Sequence, residues 1–214
     1  MSFVLKALSV ATLCILVLTV PVYANVGTGT ANAVNYTMQY PIIYIDDKNI
    51  QDRINGDIYT YIQAFKDSYT AGDFIDGKFN YETKYEDENY ISVIIYEGKW
   101  IGGAHEMSNY IGLNYSKRTG ENLPLSYFVK LRPEDKNLLY SLCPIYNSKN
   151  EPIPNKQLND NRFGEKISGN YYLLGNGEIA LIYQPYQMAC FAIGETYIKL
   201  TVKLQDYFNR KNNR

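Results

Sequence analysis

Residues 49–69 read NIQDRINGDIYTYIQAFKDSY, and the spacing of their apolar side chains decides the fold class. Ile50, Ile54, Ile58, Ile62 and Phe65 recur at helical intervals, so a helix gathers them into one stripe. Asn49 can cap this helix, and Asp52 stands in its first turn. Gly56 costs about 1 kcal/mol inside a helix, which predicts a close neighbour at that point. Downstream the period changes from helical to two. Phe79, Tyr81, Thr83 and Tyr85 alternate, Glu86-Asp87-Glu88-Asn89 makes a solvated turn, and Ile91, Val93 and Ile95 alternate along the next strand. An amphipathic helix followed by a hairpin with an apolar face defines an α+β fold. The expectation is antiparallel sheets with one long N-terminal helix and one or two shorter helices packed on them.

Further strands are expected at residues 36–45, with Pro41 marking an edge or a strand start, and at Tyr110–Tyr115. Leu123, Leu125 and Phe128 should point inward. Pro133 opens a second helix, with Glu134 and Asp135 in its first turn and Pro144 at its end. Residues 148–169 show no period and are expected as a long loop. Asn176-Gly177 between Tyr171–Leu174 and Ile179–Tyr183 is a hairpin turn signal. A last strand spans 197–202, and a short helix follows at 204–208. The corresponding organisation is a small N-terminal α+β subdomain at 36–105, a C-terminal one at 106–208 and a polar tail at 209–214. No internal repeat is present.

The chain starts with a targeting pattern. Lys6 precedes an apolar run from Ala7 to Val20 that is short for a spanning helix, and Val22-Tyr23-Ala24 supplies a cleavage site. Residues 1–24 are therefore expected as a signal peptide, with a retained anchor as the alternative, and 25–35 as a flexible lead. Export places the working part outside the cytoplasm, secreted or periplasmic. Loss of Lys6 leaves 20 basic residues against 22 acidic ones, a net charge of −2 in place of −1. No basic footprint for nucleic acid and no basic run for an anionic membrane surface is present. Cys143 and Cys190 remain after cleavage, as a candidate disulfide or as two buried thiols. Tyrosine is the outlier, with 22 residues against 8 Phe and 1 Trp. Strand preference explains this abundance more simply than a dedicated Tyr-lined site.

The stretch richest in chemistry is Trp100-Ile101-Gly102-Gly103-Ala104-His105-Glu106, which contains the single His of the chain. One imidazole cannot build a His-based zinc site, and no HExxH, Gly-x-Ser-x-Gly elbow or phosphate-binding glycine loop occurs. The sequence thus nominates no catalytic residue, metal or cofactor. Trp100, Gly102, Gly103, His105 and Glu106 are the candidate binding residues. A local, structural His105 and a core-plugging Trp100 are the plainer readings. Glu106 and Glu97 flank the glycines and could face one groove, as a carboxylate hydrolase would require.

The word Trp100 to His105, followed by Asn114, Thr119-Gly120 and Leu123-x-Leu125-x-x-Phe128, resembles a bacterial extracytoplasmic domain of unknown function. Asn176-Gly177-x-Ile179, Tyr183-x-Pro185-Tyr186, Ala189 and Gly194 are similar to its second signature. Tyr40-Pro41 with Asn55 and Ile58 looks like the smaller domain that precedes it. This tandem occurs in RsiV-type anti-sigma ectodomains, which bind lysozyme, and before the catalytic domain of PdaC-type peptidoglycan deacetylases. The resemblance implies a cell-envelope binding module that recognises a lysozyme-type muramidase or peptidoglycan. It transfers no catalytic residue. A small wall-active hydrolase and a structural envelope protein without a discrete ligand are the alternatives.

Overall fold

The computed structural model describes residues 25–160, 162 and 165–213; the expected signal peptide lies outside them. Five strands form the first sheet in the order β1 (Asn25–Thr30), β2 (Tyr36–Tyr44), β3 (Asp76–Glu86), β4 (Tyr90–Trp100) and β5 (Met107–Ser116). Four form the second, ordered β6 (Ile145–Asn147), β9 (Thr196–Leu200), β8 (Glu178–Tyr183) and β7 (Tyr171–Gly175). With helices α1 (Lys48–Thr70), α2 (Lys136–Leu142) and α3 (Val202–Asn212), the fold is α+β.

Three details depart from expectation. The first sheet is mixed, because β2 and β3 pair in parallel at Tyr36–Met38, with α1 as the crossover that parallel neighbours require. That pairing stops before Pro41, which leaves the proline free of a ladder partner on the β3 side. Residues expected as a flexible lead form β1, paired along Asn25–Thr30 with β2. The sheet also runs past residue 105, since β5 pairs with β4 along its whole length.

Helix α1 is the long helix of the sequence reading, entered slightly earlier. Its cap is Asp47, whose carboxylate accepts from the backbone N–H groups of Asn49 and Ile50. Ile54, Ile58, Ile62 and Phe65 are buried against Met38, Ile43, Phe79, Ile91, Val93 and Ile95. Gly56 has no close neighbour; it faces an open depression beside Arg53 and Asp57. The opposite side of β4 is also covered. Ile94 joins Tyr172, Ala180, Ile182 and Tyr197 in a core shared by the two sheets. The turn before β4 is not merely solvated. Asp87 caps Asn89 and Tyr90, and the buried Lys117 ammonium reaches Glu86 and the Asp87 carbonyl.

The free edge of β5 meets β7 and β8 through side-chain amides. Asn170 receives from Gly112 N at 2.8 Å and donates to Tyr110 O at 2.7 Å. Gln184 repeats this on Tyr110, accepting from its N and donating to its O, and Asn114 donates to Tyr171 O at 2.8 Å. These bonds satisfy an edge that would otherwise expose unpaired backbone groups. Only glycine fits at 112, where an added Cβ would lie 1.9 Å from Tyr171 O.

Beyond the second sheet, Leu139, Cys143, Leu181, Ile198, Leu200 and Phe208 form a separate core under α2 and α3. Asn176 and Gly177 both take positive φ in the β7–β8 turn, as the Asn-Gly signal requires. Residues 148–169 are not featureless. They carry a 3₁₀ turn at Asn155–Gln157 and bridges from Tyr146 to Pro152 and from Leu158 to Ala189. Helix α3 continues through the residues expected as a polar tail. Asn209 and Asn212 hold the backbone of Phe128 and Lys130, and Asp135 accepts from Lys211 and Asn212.

Candidate functional site

The turn between β4 and β5 presents the residues nominated by sequence. Gly102 takes φ +95°, a conformation that other residues rarely adopt. Trp100 is 39% exposed, and its indole N–H donates to Gly103 O at 2.7 Å. It is not a core plug; it closes the turn and shows its ring to solvent.

His105 is bound into a surface cluster rather than only to its own turn. Its Nδ1 lies 2.9 Å from Glu106 O and its Nε2 2.8 Å from the Tyr186 hydroxyl. A carbonyl only accepts, so Nδ1 carries a hydrogen and donates to Glu106 O, while Nε2 and the Tyr186 hydroxyl share the second bond. The imidazole stacks on Phe191, with ring centres 3.9 Å apart and planes 18° from parallel. Tyr186 is held at φ +72°, and its carbonyl is fixed by Asn159 Nδ2 at 2.6 Å. His105, Tyr186 and Phe191 thus form an aromatic cluster held by stacking and hydrogen bonds, and with Trp100, on the same turn as His105, they make up an aromatic lip.

Glu106 turns away from this lip and accepts from the Tyr96 hydroxyl. Gly98 gives it room: a Cβ there would lie 2.5 Å from Glu106 Oε2. Glu97 points the other way. Successive strand residues face opposite sides, and Glu97 is paired with Phe79, whose ring is in the core beneath α1. The two carboxylates expected to share one groove therefore lie on opposite faces of β4.

Tyr96 connects the lip to a cleft of about 330 Å³ at the margin between the sheets. Asn80, Tyr81 and Glu82 of β3, Ile94 and Tyr96 of β4, Tyr110 of β5, Ser148 and Glu195 line it. The Tyr96 and Tyr110 rings lie 5.2 Å apart. Burial, then the bond to Glu106, raises the Tyr96 pKa well above the usual phenol value, so the hydroxyl stays a donor. Glu195 is only 4% exposed. Among the described residues its carboxylate has no hydrogen-bond or ion-pair partner. Burial raises its pKa; Lys84 opposes that shift and Glu82 adds to it. Lys84 is itself engaged, with Glu82 at 2.7 Å and the Tyr172 ring at 5.1 Å.

Cys143 and Cys190 are separate thiols. Cys143 is packed in the α2–α3 core, where burial pushes its pKa up to about 11, while Cys190 faces solvent. The candidate disulfide is therefore not formed. Among the described residues no three His, Cys, Asp or Glu side chains are grouped to hold a metal ion, and no helix is long and apolar enough to cross a membrane.

The fold is that of DUF3298-like domains. It is similar to a DUF3298 family member from Bacteroides fragilis NCTC 9343, with a TM-score of 0.61 at 12% identity, over 87% of this chain and 93% of that one. A DUF3298 family protein from Pseudomonas aeruginosa PAO1 gives 0.53 at 14% identity, over the same shares. Residues 28–108 match the family model described as Deacetylase PdaC. No curated protein matches the chain.

Sequence reasoning nominated the turn and missed what the turn touches. Tyr186 and Gly194 were visible as parts of the second signature, and Phe191 and Glu195 lie beside them. Their approach to His105 and Tyr96 depends on the packing of two sheets, which no local pattern reports.

Proposed function

We propose that this protein is an extracytoplasmic binding module of the bacterial cell envelope, exported by cleavage after Ala24. It recognises a lysozyme-type muramidase or peptidoglycan through the lip of Trp100, His105, Tyr186 and Phe191. The observation that carries this reading is the lip itself. Aromatic rings partly exposed at a surface and locked by hydrogen bonds lose little freedom on binding, which is the character of interface anchors. Similarity of residues 28–108 to the PdaC family model and the DUF3298-like fold support an envelope setting. Placement of Glu97 and Glu106 on opposite faces of β4 weighs against the two-carboxylate hydrolase.

Pull-down of the protein with muramidases and with purified peptidoglycan, scored together with glycan release, tests the reading. Phe191→Ala and Trp100→Ala should leave the circular dichroism spectrum unchanged and weaken capture. Glycan release that Glu106→Gln abolishes would replace binding with hydrolysis.

A further inference from the structure

We propose that the cleft closed by Glu195 accepts an organic cation, the ammonium or guanidinium group of a Lys or Arg side chain projecting from a protein partner. The inference rests on the binding-module reading and gives its recognition a chemistry.

A buried carboxylate normally carries its own counter-charge or hydrogen-bond donors. The Glu195 carboxylate accepts no hydrogen bond and makes no ion-pair contact among the described residues, although the residue is 4% exposed and borders the cleft; Lys84 acts on it only through space. Lys84 is taken up by Glu82. Glu106, one hydrogen bond away through Tyr96, adds a further negative group. The cleft is thus short of positive charge. The rings of Tyr96 and Tyr110 line it, and tyrosine faces attract cations, more strongly once water is excluded.

The protein already solves the same problem with its own cations nearby. Lys84 lies over Tyr172 and pairs with Glu82. Lys199 lies over Tyr146 at 5.1 Å and reaches Glu178 at 3.8 Å. Glu195 among tyrosines is the same combination without a lysine in contact, since Lys84 is paired with Glu82. A volume of about 330 Å³ admits one long basic side chain end-on. The lip adjoins the cleft, since His105 and Glu106 are consecutive and Phe191 precedes Glu195 by one 3₁₀ turn. A cation seated on Glu195 would therefore be surrounded by the aromatic contact that a protein surface supplies, an arrangement typical of an interface hot spot.

Titration by NMR uses blocked peptides containing one Lys or one Arg, with Nε-acetyl-lysine as the uncharged control. Saturable shifts at Tyr96, Tyr110 and Glu195 are expected for both cations and not for the control. Glu195→Gln should weaken them by at least about tenfold, as removal of one member of a desolvated charge pair does. Ser148→Lys, at an exposed position on the rim, should compete in the same direction by offering a tethered ammonium. Equal binding of charged and acetylated lysine, or unchanged affinity in Glu195→Gln, overturns the proposal. So does binding of amine-bearing wall fragments with none of the peptides, because the partner class would then be glycopeptide. If the peptides fail while pull-down on the lip succeeds, the cation site is wrong and the module reading stands. If the peptides bind and pull-down fails for every muramidase and wall sample, the module reading needs another partner.

Discussion

Glu195 sets the residue-scale behaviour of the molecule. Folding desolvates its carboxylate with no ion-pair contact, and although the Lys84 charge opposes the effect, this raises its pKa from the usual 4.5. The folded state then binds the proton more tightly than the unfolded chain, so stability declines as pH rises through the raised pKa. Of the groups facing it, Lys84 and Glu82 on β3 act on it through their charges in opposite directions, while burial raises the Tyr110, Tyr172 and Tyr197 pKa values and keeps those hydroxyls protonated. Glu195→Gln should therefore raise the melting temperature at pH 7 and leave it nearly unchanged near pH 4. Thermal melts at the two pH values check this, and destabilisation at both would mean that Glu195 is a structural acceptor. The residue is a stability cost that lies beside the proposed recognition surface. Nothing in the sequence around Gly194-Glu195 marks it, because burial without a partner is a property of the assembled sheets.

At the scale of elements, α1 was the most legible part of the sequence. Its stripe is one-sided and long, and the buried residues are those the helical period selects. Ile58, 1% exposed, should cost about 2–5 kcal/mol on truncation to Ala, read from denaturant melts. A change of a few tenths would show that the stripe is not core. Helix α3 was the least legible. Its last turn is rich in Asn and basic residues, a composition that reads as solvated tail, yet Asn209 and Asn212 hydrogen-bond the backbone at 128–130. Asp135 fastens the same helix through Lys211 and Asn212 and also accepts from Arg132 N. Burial works against its ionisation, but these donors outweigh it and hold the carboxyl below its ordinary pKa. The stabilisation is present above the usual carboxylate range and is lost as pH falls through the lowered value. Removing residues from Asn209 onward, or replacing Asp135 with Asn, should cost about 1–3 kcal/mol at pH 7, as lost buried hydrogen bonds do. For Asp135→Asn the difference should shrink in acid. Wild-type stability from either variant would return these residues to the role of a tail.

For the whole molecule, the informative junction is between the sheets. Local alternation identified Ile91, Val93 and Ile95 as one buried face of β4, but it could not show that Ile94 faces a second sheet. Nor could it show that Asn114, Asn170 and Gln184 seal the edge of β5. A boundary at residue 105 follows naturally from the glycine turn when those contacts are unseen. Gly112→Ala should force β5 and β7 apart at the cost of about 1–3 kcal/mol or more, the usual penalty for overpacking a tight contact. Hydrogen exchange should then rise along both sheets together. Exchange confined to the second sheet would mean that the two fold separately.

The lip and the cleft exist only because these sheets meet, so the account depends most directly on whether that shared surface is where a partner lands. The decisive measurement is a hydrogen-exchange footprint of the protein with the muramidase or peptidoglycan that the pull-down selects. Protection centred on residues 100–110 and 184–195 is the predicted result. Protection elsewhere, for instance over the exposed face of α1, with these two segments unchanged, would contradict it.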